Sequence, residues 1–249
     1  MSYHRRTVLI VLLVIAVFAA VVRDNPLTRA AQDYAQSIAT TSAGTYVTLR
    51  TLNAFLSTAQ EVEVGVSIIA SGNAQPLKML EPIDDTIERI AGLVFAVMVA
   101  TGVIAVSLGP VSGMGWALFA LAVALSLLRG GGARGMSTPL ATYGALLGLG
   151  IPLALALSAW LATVLTAGVY RENLAVLQDI TQLVSGAEDI ESAAPGLSEY
   201  RALAVNVWER ADELISALIT ILSVYVFRLF VMPILLIIGM FLLARRLAG

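Results

Sequence analysis

One ionisable side chain, Arg228, stands inside an apolar run, so any chemistry within the apolar parts of this chain would have to start from it. An arginine in that setting either snorkels its guanidinium to an interface or pairs with an acid on a neighbouring helix. Glu88 and Glu209, at the acidic ends of two other helical stretches, are the expected partners for such an interhelical ion pair. The acids offer a second possibility. Glu81/Asp85 and Asp84/Glu88 are i,i+4 pairs, and a divalent cation could bridge two carboxylates so spaced. No Asp-rich loop accompanies them, however, and acids in a first helical turn are expected from the helix dipole alone. No metal site is therefore expected at 81–88, nor at Glu188, Asp189 and Glu191.

Catalytic equipment is otherwise missing. The single histidine, His4, lies beside Arg5 and Arg6 in the N-terminal tail, and the chain has no cysteine. That leaves no thiol nucleophile, no thiolate metal site and no histidine pair for haem or zinc. Lys78 is the only lysine and sits in an acidic stretch, so a Ser–Lys dyad has no base within an apolar run. The glycine-rich stretch from Arg129 to Gly135 matches neither G-x-G-x-x-G nor the Walker pattern and reads as an interfacial loop. With a net charge of −2 there is no basic stripe for nucleic acid. No enzyme activity, cofactor or nucleic-acid partner is expected.

The elements that would position these residues follow from where charge is absent. Hydrophobic residues make up 58% of the 249 and charged residues only 13%, against about 25% charged in a soluble domain. All 17 carboxylates fall within residues 23–89 and 169–213. Carboxylates are costly in hydrocarbon, so the pattern predicts an all-α polytopic membrane protein. It should have about five apolar helical segments and two acidic, mainly helical extramembrane segments.

Residues 1–22 read as an uncleaved anchor helix and 23–89 as the first acidic segment, in which Asn25 caps a helix beginning at Pro26. Tyr46, Leu49, Leu52, Phe55 and Leu56 form one apolar helical face, and Glu61–Ile69 alternates as a short extended piece would. Ser71-Gly72-Asn73 and Pro76 mark a turn. Residues 90–128 are expected to form a hairpin, or a span plus a re-entrant helix, because Gly109-Pro110 should stop the first run. A Gly/Arg loop at 129–138 then leads to a kinked span at 139–167, interrupted by Gly148, Gly150 and Pro152. In the second acidic segment, 168–213, Leu174, Leu177, Ile180, Leu183 and Val184 share a face. Breaks are expected at Ser185-Gly186 and Ala194-Pro195-Gly196 before the last span, 214–249.

The arginine pairs at 5/6, 129/134 and 245/246 resemble cytoplasmic anchors. They favour an inner (plasma) membrane protein of bacterial type, with both acidic segments extracytoplasmic and both termini inside. Small residues recur every fourth position at Gly92/Ala96/Ala100, at Gly144/Gly148 and at Ala120/Ala124, faces along which helices can approach closely. The expected function is a non-enzymatic scaffold or accessory subunit that binds other membrane proteins, or further copies of itself, through its extramembrane helices within a lipid bilayer. The competing expectation is a small-solute or ion transporter or channel, drawing on Arg228, the Gly148–Pro152 break and a hydroxyl lining from Thr101, Ser107, Ser126, Ser158 and Thr163.

Overall fold

The computed structural model describes residues 3–22, 25–69, 80–127, 131–185 and 197–248; the turns expected at 71–76 and 194–196, the acids 188–191, Lys78 and Arg129 lie outside them. Every element among the described residues is helical. In chain order they are α1 (Tyr3–Val21), α2 (Pro26–Ile69), α3 (Glu81–Leu127), α4 (Gly131–Ala145), a π-helical turn (Leu146–Gly150) and α5 (Ile151–Ser185). Then come α6 (Leu197–Glu209), α7 (Ala211–Val226), a second π-helical turn (Phe227–Val231) and α8 (Met232–Ala248). Four helical stretches are long and apolar enough to cross a membrane: Arg6–Gln60, Glu81–Leu127, Gly135–Val184 and Ala211–Leu242.

Three local expectations are corrected. Gly109-Pro110 does not stop a helix, because α3 runs unbroken through Pro110 for 47 residues, ~70 Å. The two apolar runs within 90–128 are thus one helix, and the apolar segments number four long stretches rather than five separate ones. A proline inside a helix costs one backbone bond and a local clash. Glu61–Ile69 is not extended; α2 continues through it. Adding residues to an existing helix carries no nucleation cost, so a short alternating pattern at the end of a 44-residue helix does not break it. The expected Gly/Arg loop is helical from Gly131 onward.

The helix starts follow the local chemistry. Asn25 caps α2, its Oδ1 accepting from the Thr28 backbone N–H at 2.8 Å, with Pro26 opening the helix where a missing donor is harmless. Glu81 and Asp84 occupy the first turn of α3, and Asp212 and Glu213 that of α7, at the positive dipole ends.

The residues gather into two compact units. Unit 1 comprises Met1–Ala39, Ala100–Val164 and Phe227–Gly249; unit 2 comprises Thr40–Val99 and Leu165–Val226. Unit 2 has a leucine- and isoleucine-rich interior. Leu49, Leu52 and Leu56 of α2 are fully buried, as are Ile87 of α3, Leu177 of α5 and Leu214 and Ile221 of α7. Each such side chain contributes about 1.5–3 kcal/mol of burial. The face expected at 49–56 is this core, whereas Leu183 is 42% exposed and lies outside it.

Unit 1 is packed more through its backbone. A side chain on Gly115 of α3 would collide with the backbone of Gly148, and one on Gly144 would collide with the backbone at Phe119. Glycine is therefore what allows these two helices to approach so closely.

Candidate functional site

The densest polar geometry in unit 1 surrounds its prolines. In an α-helix the carbonyl four residues before a proline has no donor, and a return from π to α spacing skips one more. Pro152 follows the first π-helical turn and Pro233 the second. The carbonyl of Gly148, four residues before Pro152, accepts from Ser112 Oγ of α3 at 3.0 Å. Arg228, five residues before Pro233, has its carbonyl taken by Tyr34 OH of α2 at 3.0 Å. Five residues before Pro110, the carbonyl of Ala105 accepts from Gln32 Nε2 at 3.2 Å. Thr28 Oγ1 donates to Ser112 Oγ at 3.2 Å and so joins the first of these contacts.

Two of these contacts share one logic: at Gly148 and Arg228 a proline and the π-helical turn before it leave a carbonyl without an intrahelical donor, and a polar side chain from a different helix occupies it. The Gln32 bond meets Ala105, next to Val106, whose carbonyl Pro110 frees. Thr28, Gln32 and Tyr34, within two turns of α2, supply most of the donors. Gly109 faces the Gln32 amide, and a Cβ on it would lie 3.4 Å from Nε2, at ordinary contact distance. Pro139 of α4 differs, because it and Gly135, whose carbonyl it frees, are both exposed. Trp116, beside Gly148, has its indole N–H buried without an acceptor among the described residues.

Between helices, the polar groups described in unit 2 bond to one another. Tyr225 OH lies 2.8 Å from Thr45 Oγ1 and 3.2 Å from Tyr170 OH, a buried chain of three hydroxyls on three helices. Ser57 Oγ donates to Asp84 Oδ2 at 3.3 Å, while Asp84 Oδ1 is buried without a partner among the described residues. Burial, and then the nearby Glu88 and Asp85, push the Asp84 carboxyl above the usual carboxylate range, against the Ser57 bond, which lowers it. Arg210, at the break between α6 and α7, bonds Asp179 at 2.6 Å and Glu213 at 2.9 Å, which together raise its pKa. Arg50 donates to Tyr46 OH at 3.0 Å and lies over the ring at 5.5 Å.

The residues singled out from sequence distribute unevenly. Arg228 is half-buried in the second π-helical turn of unit 1, and Glu88 and Glu209 are exposed in unit 2. Gly144 and Gly148 stand at the close approach to α3, whereas Gly92 has open space before it, Ala96 is exposed and Ala100 is half-buried. Among the described residues no three His, Cys, Asp or Glu side chains converge as a metal would require. Of the hydroxyls expected to line a path, Ser158 and Thr163 bond to carbonyls four residues back in α5, at 2.7 and 2.6 Å. Sequence reading missed the Thr28–Gln32–Tyr34 set. The available signal was the presence of an interior proline in three of the four long stretches, which frees a carbonyl that needs a donor from elsewhere.

No protein-family model, curated protein or solved structure matches this chain.

Proposed function

We propose that this chain is a non-enzymatic membrane scaffold or accessory subunit, a framework that positions other membrane proteins. The observation that carries this reading is how the polar side chains of unit 1 are used. Thr28, Gln32, Tyr34 and Ser112 bond across helices toward carbonyls near prolines, which fixes interrupted helices in place. In a bilayer such contacts are what make interior prolines tolerable. Groups committed in this way serve architecture rather than turnover.

On this reading the four long apolar stretches cross an inner (plasma) membrane, and four crossings place both termini on its cytoplasmic side. The acidic residues from Glu61 to Glu88 and from Glu172 to Glu213 then face the extracytoplasmic side, supported by their falling in one compact unit. Single cysteines at Thr58 and Gln182, both in unit 2, test this in the cysteine-free chain with an impermeant maleimide. Labelling of both from the outer face is expected, and labelling from opposite faces would remove the shared orientation.

The functional test is purification from native membranes in mild detergent, with reconstitution alongside. A partner at fixed stoichiometry is expected, together with liposomes no leakier than empty ones. Transport is the second reading, favoured by the two π-helical turns, since broken helices often line pathways. Selective flux of an ion or small solute through the purified protein would establish it in place of the scaffold.

A further inference from the structure

Unit 2 contains one polar seam whose groups are left incomplete. α2 and α3 run antiparallel there. The Tyr46 and Phe95 rings lie 5.4 Å apart, and Ser57 Oγ meets Asp84 Oδ2 at 3.3 Å, equal numbers of residues further along one helix and back along the other. Asn53, Ser57 and Gln60, at spacings of four and three, share one face of α2, the face on which Ser57 meets Asp84. Among the described residues four side-chain polar atoms are buried without a partner, and three belong to this seam: Asn53 Oδ1, Gln60 Nε2 and Asp84 Oδ1. Packed helices rarely leave such atoms together. An ionised carboxylate with one oxygen so placed is the costliest of them. A proton on that oxygen removes the charge and supplies an O–H where Asn53 Oδ1, one turn from Ser57, lacks a donor.

We propose that this seam is a proton-operated latch between α2 and α3, closed over a neutral Asp84 and opened when Asp84 ionises and turns out to water. The Tyr46–Phe95 contact, further along the same pair of helices, holds them together in both states. The charges around Asp84 favour the closed form. Burial, and then Glu88 and Asp85 of its own helix, push its carboxyl above the usual carboxylate range, against the Ser57 bond, which lowers it. Glu81 and Arg89 of α3 are exposed. On α2, Arg50 bonds the Tyr46 hydroxyl and is held by the charge of Glu88. Asp179 of α5 and Glu213 of α7 are bonded to Arg210. With a raised pKa, the closed form is present at low pH and is lost as pH rises through that pKa. The latch concerns unit 2 alone, goes beyond the scaffold reading and holds equally for a transporter.

The test measures distances by pulsed electron paramagnetic resonance in the full-length protein, with spin labels on cysteine pairs introduced into the cysteine-free chain. Thr58→Cys with Thr86→Cys spans the seam, and Val47→Cys with Leu93→Cys flanks the Tyr46–Phe95 contact. The first pair should give one short distance at mildly acidic pH and gain a longer one as pH rises, while the second pair stays fixed. Asp84→Asn should hold the first pair at its short distance throughout. Glu88→Gln should move the midpoint to lower pH, because it removes a negative charge beside Asp84. A first-pair distance that ignores pH would overturn the proposal, as would an identical transition in Asp84→Asn. An unmoved midpoint in Glu88→Gln would assign the transition to another group. Lengthening of both pairs would make it an unfolding of unit 2 and remove the latch.

Discussion

Two ways of holding helices together coexist in this chain. Unit 1 contains interior prolines, π-helical turns and glycine contacts, and the cross-helix polar bonds described there end mostly on backbone carbonyls. Unit 2 rests on buried leucines and isoleucines, and its described polar bonds between helices run side chain to side chain, as in Thr45–Tyr225–Tyr170 and Arg210 with Asp179. The difference follows from what each stretch of sequence leaves unsatisfied. A proline creates a backbone acceptor that must be met wherever water is excluded. A regular amphipathic helix leaves only its side chains to arrange.

The comparison can be broken first where the expected effect is largest. Leu52→Ala empties a fully buried position in unit 2 and should cost about 2–5 kcal/mol. Thermal unfolding in detergent measures it, and a loss near zero would mean that unit 2 does not depend on apolar packing. Ser112→Val in unit 1 should cost less, about 1–2 kcal/mol, by leaving the Gly148 carbonyl without its donor. The sharper form is a cycle. Pro152→Ala returns an intrahelical N–H to that carbonyl, so the cost of Ser112→Val should largely vanish in the Pro152→Ala background. An undiminished cost would show that Ser112 acts through packing instead.

A pH experiment probes the other side of the comparison. The folded-state pKa of Asp84 lies above its ordinary value, so the folded protein prefers the neutral acid. The stability associated with that preference is present at low pH and is lost as pH rises through the raised pKa. Asp84→Asn should therefore raise the melting temperature at pH 7 and flatten its decline from mildly acidic pH. A lower melting temperature at pH 7 would mean that the ionised carboxylate is the stabilising form. The smallest effect is expected at Arg228. Its backbone carbonyl, not its side chain, receives the Tyr34 bond, so Arg228→Lys should stay within about 0.5 kcal/mol of the parent protein. A large loss would point to the guanidinium as a structural group.

Much of the architecture was legible in the order of residues. Exclusion of carboxylates from the long apolar runs, the Asn25–Pro26 helix start and the 49–56 core face all depend on near neighbours along one helix, and local periodicity reports them. The continuity of α3 through Pro110 and of α2 through Glu61–Ile69 was not legible. Local rules assign a proline or a short alternating stretch its intrinsic preference, whereas a helix already nucleated continues through both.

By itself, then, the sequence determined that this chain is helical, that it carries long apolar runs, and that its acids are excluded from them; that two of those runs form one continuous helix, leaving four long stretches, only the structure decided. The tertiary structure alone also decided that Thr28, Gln32 and Tyr34 lie beside proline-containing helices whose contacting residues are 73 to 194 positions distant in the chain. The reason is physical. A freed carbonyl can be foreseen from the proline that frees it, but the donor that meets it is selected by which helices pack side by side.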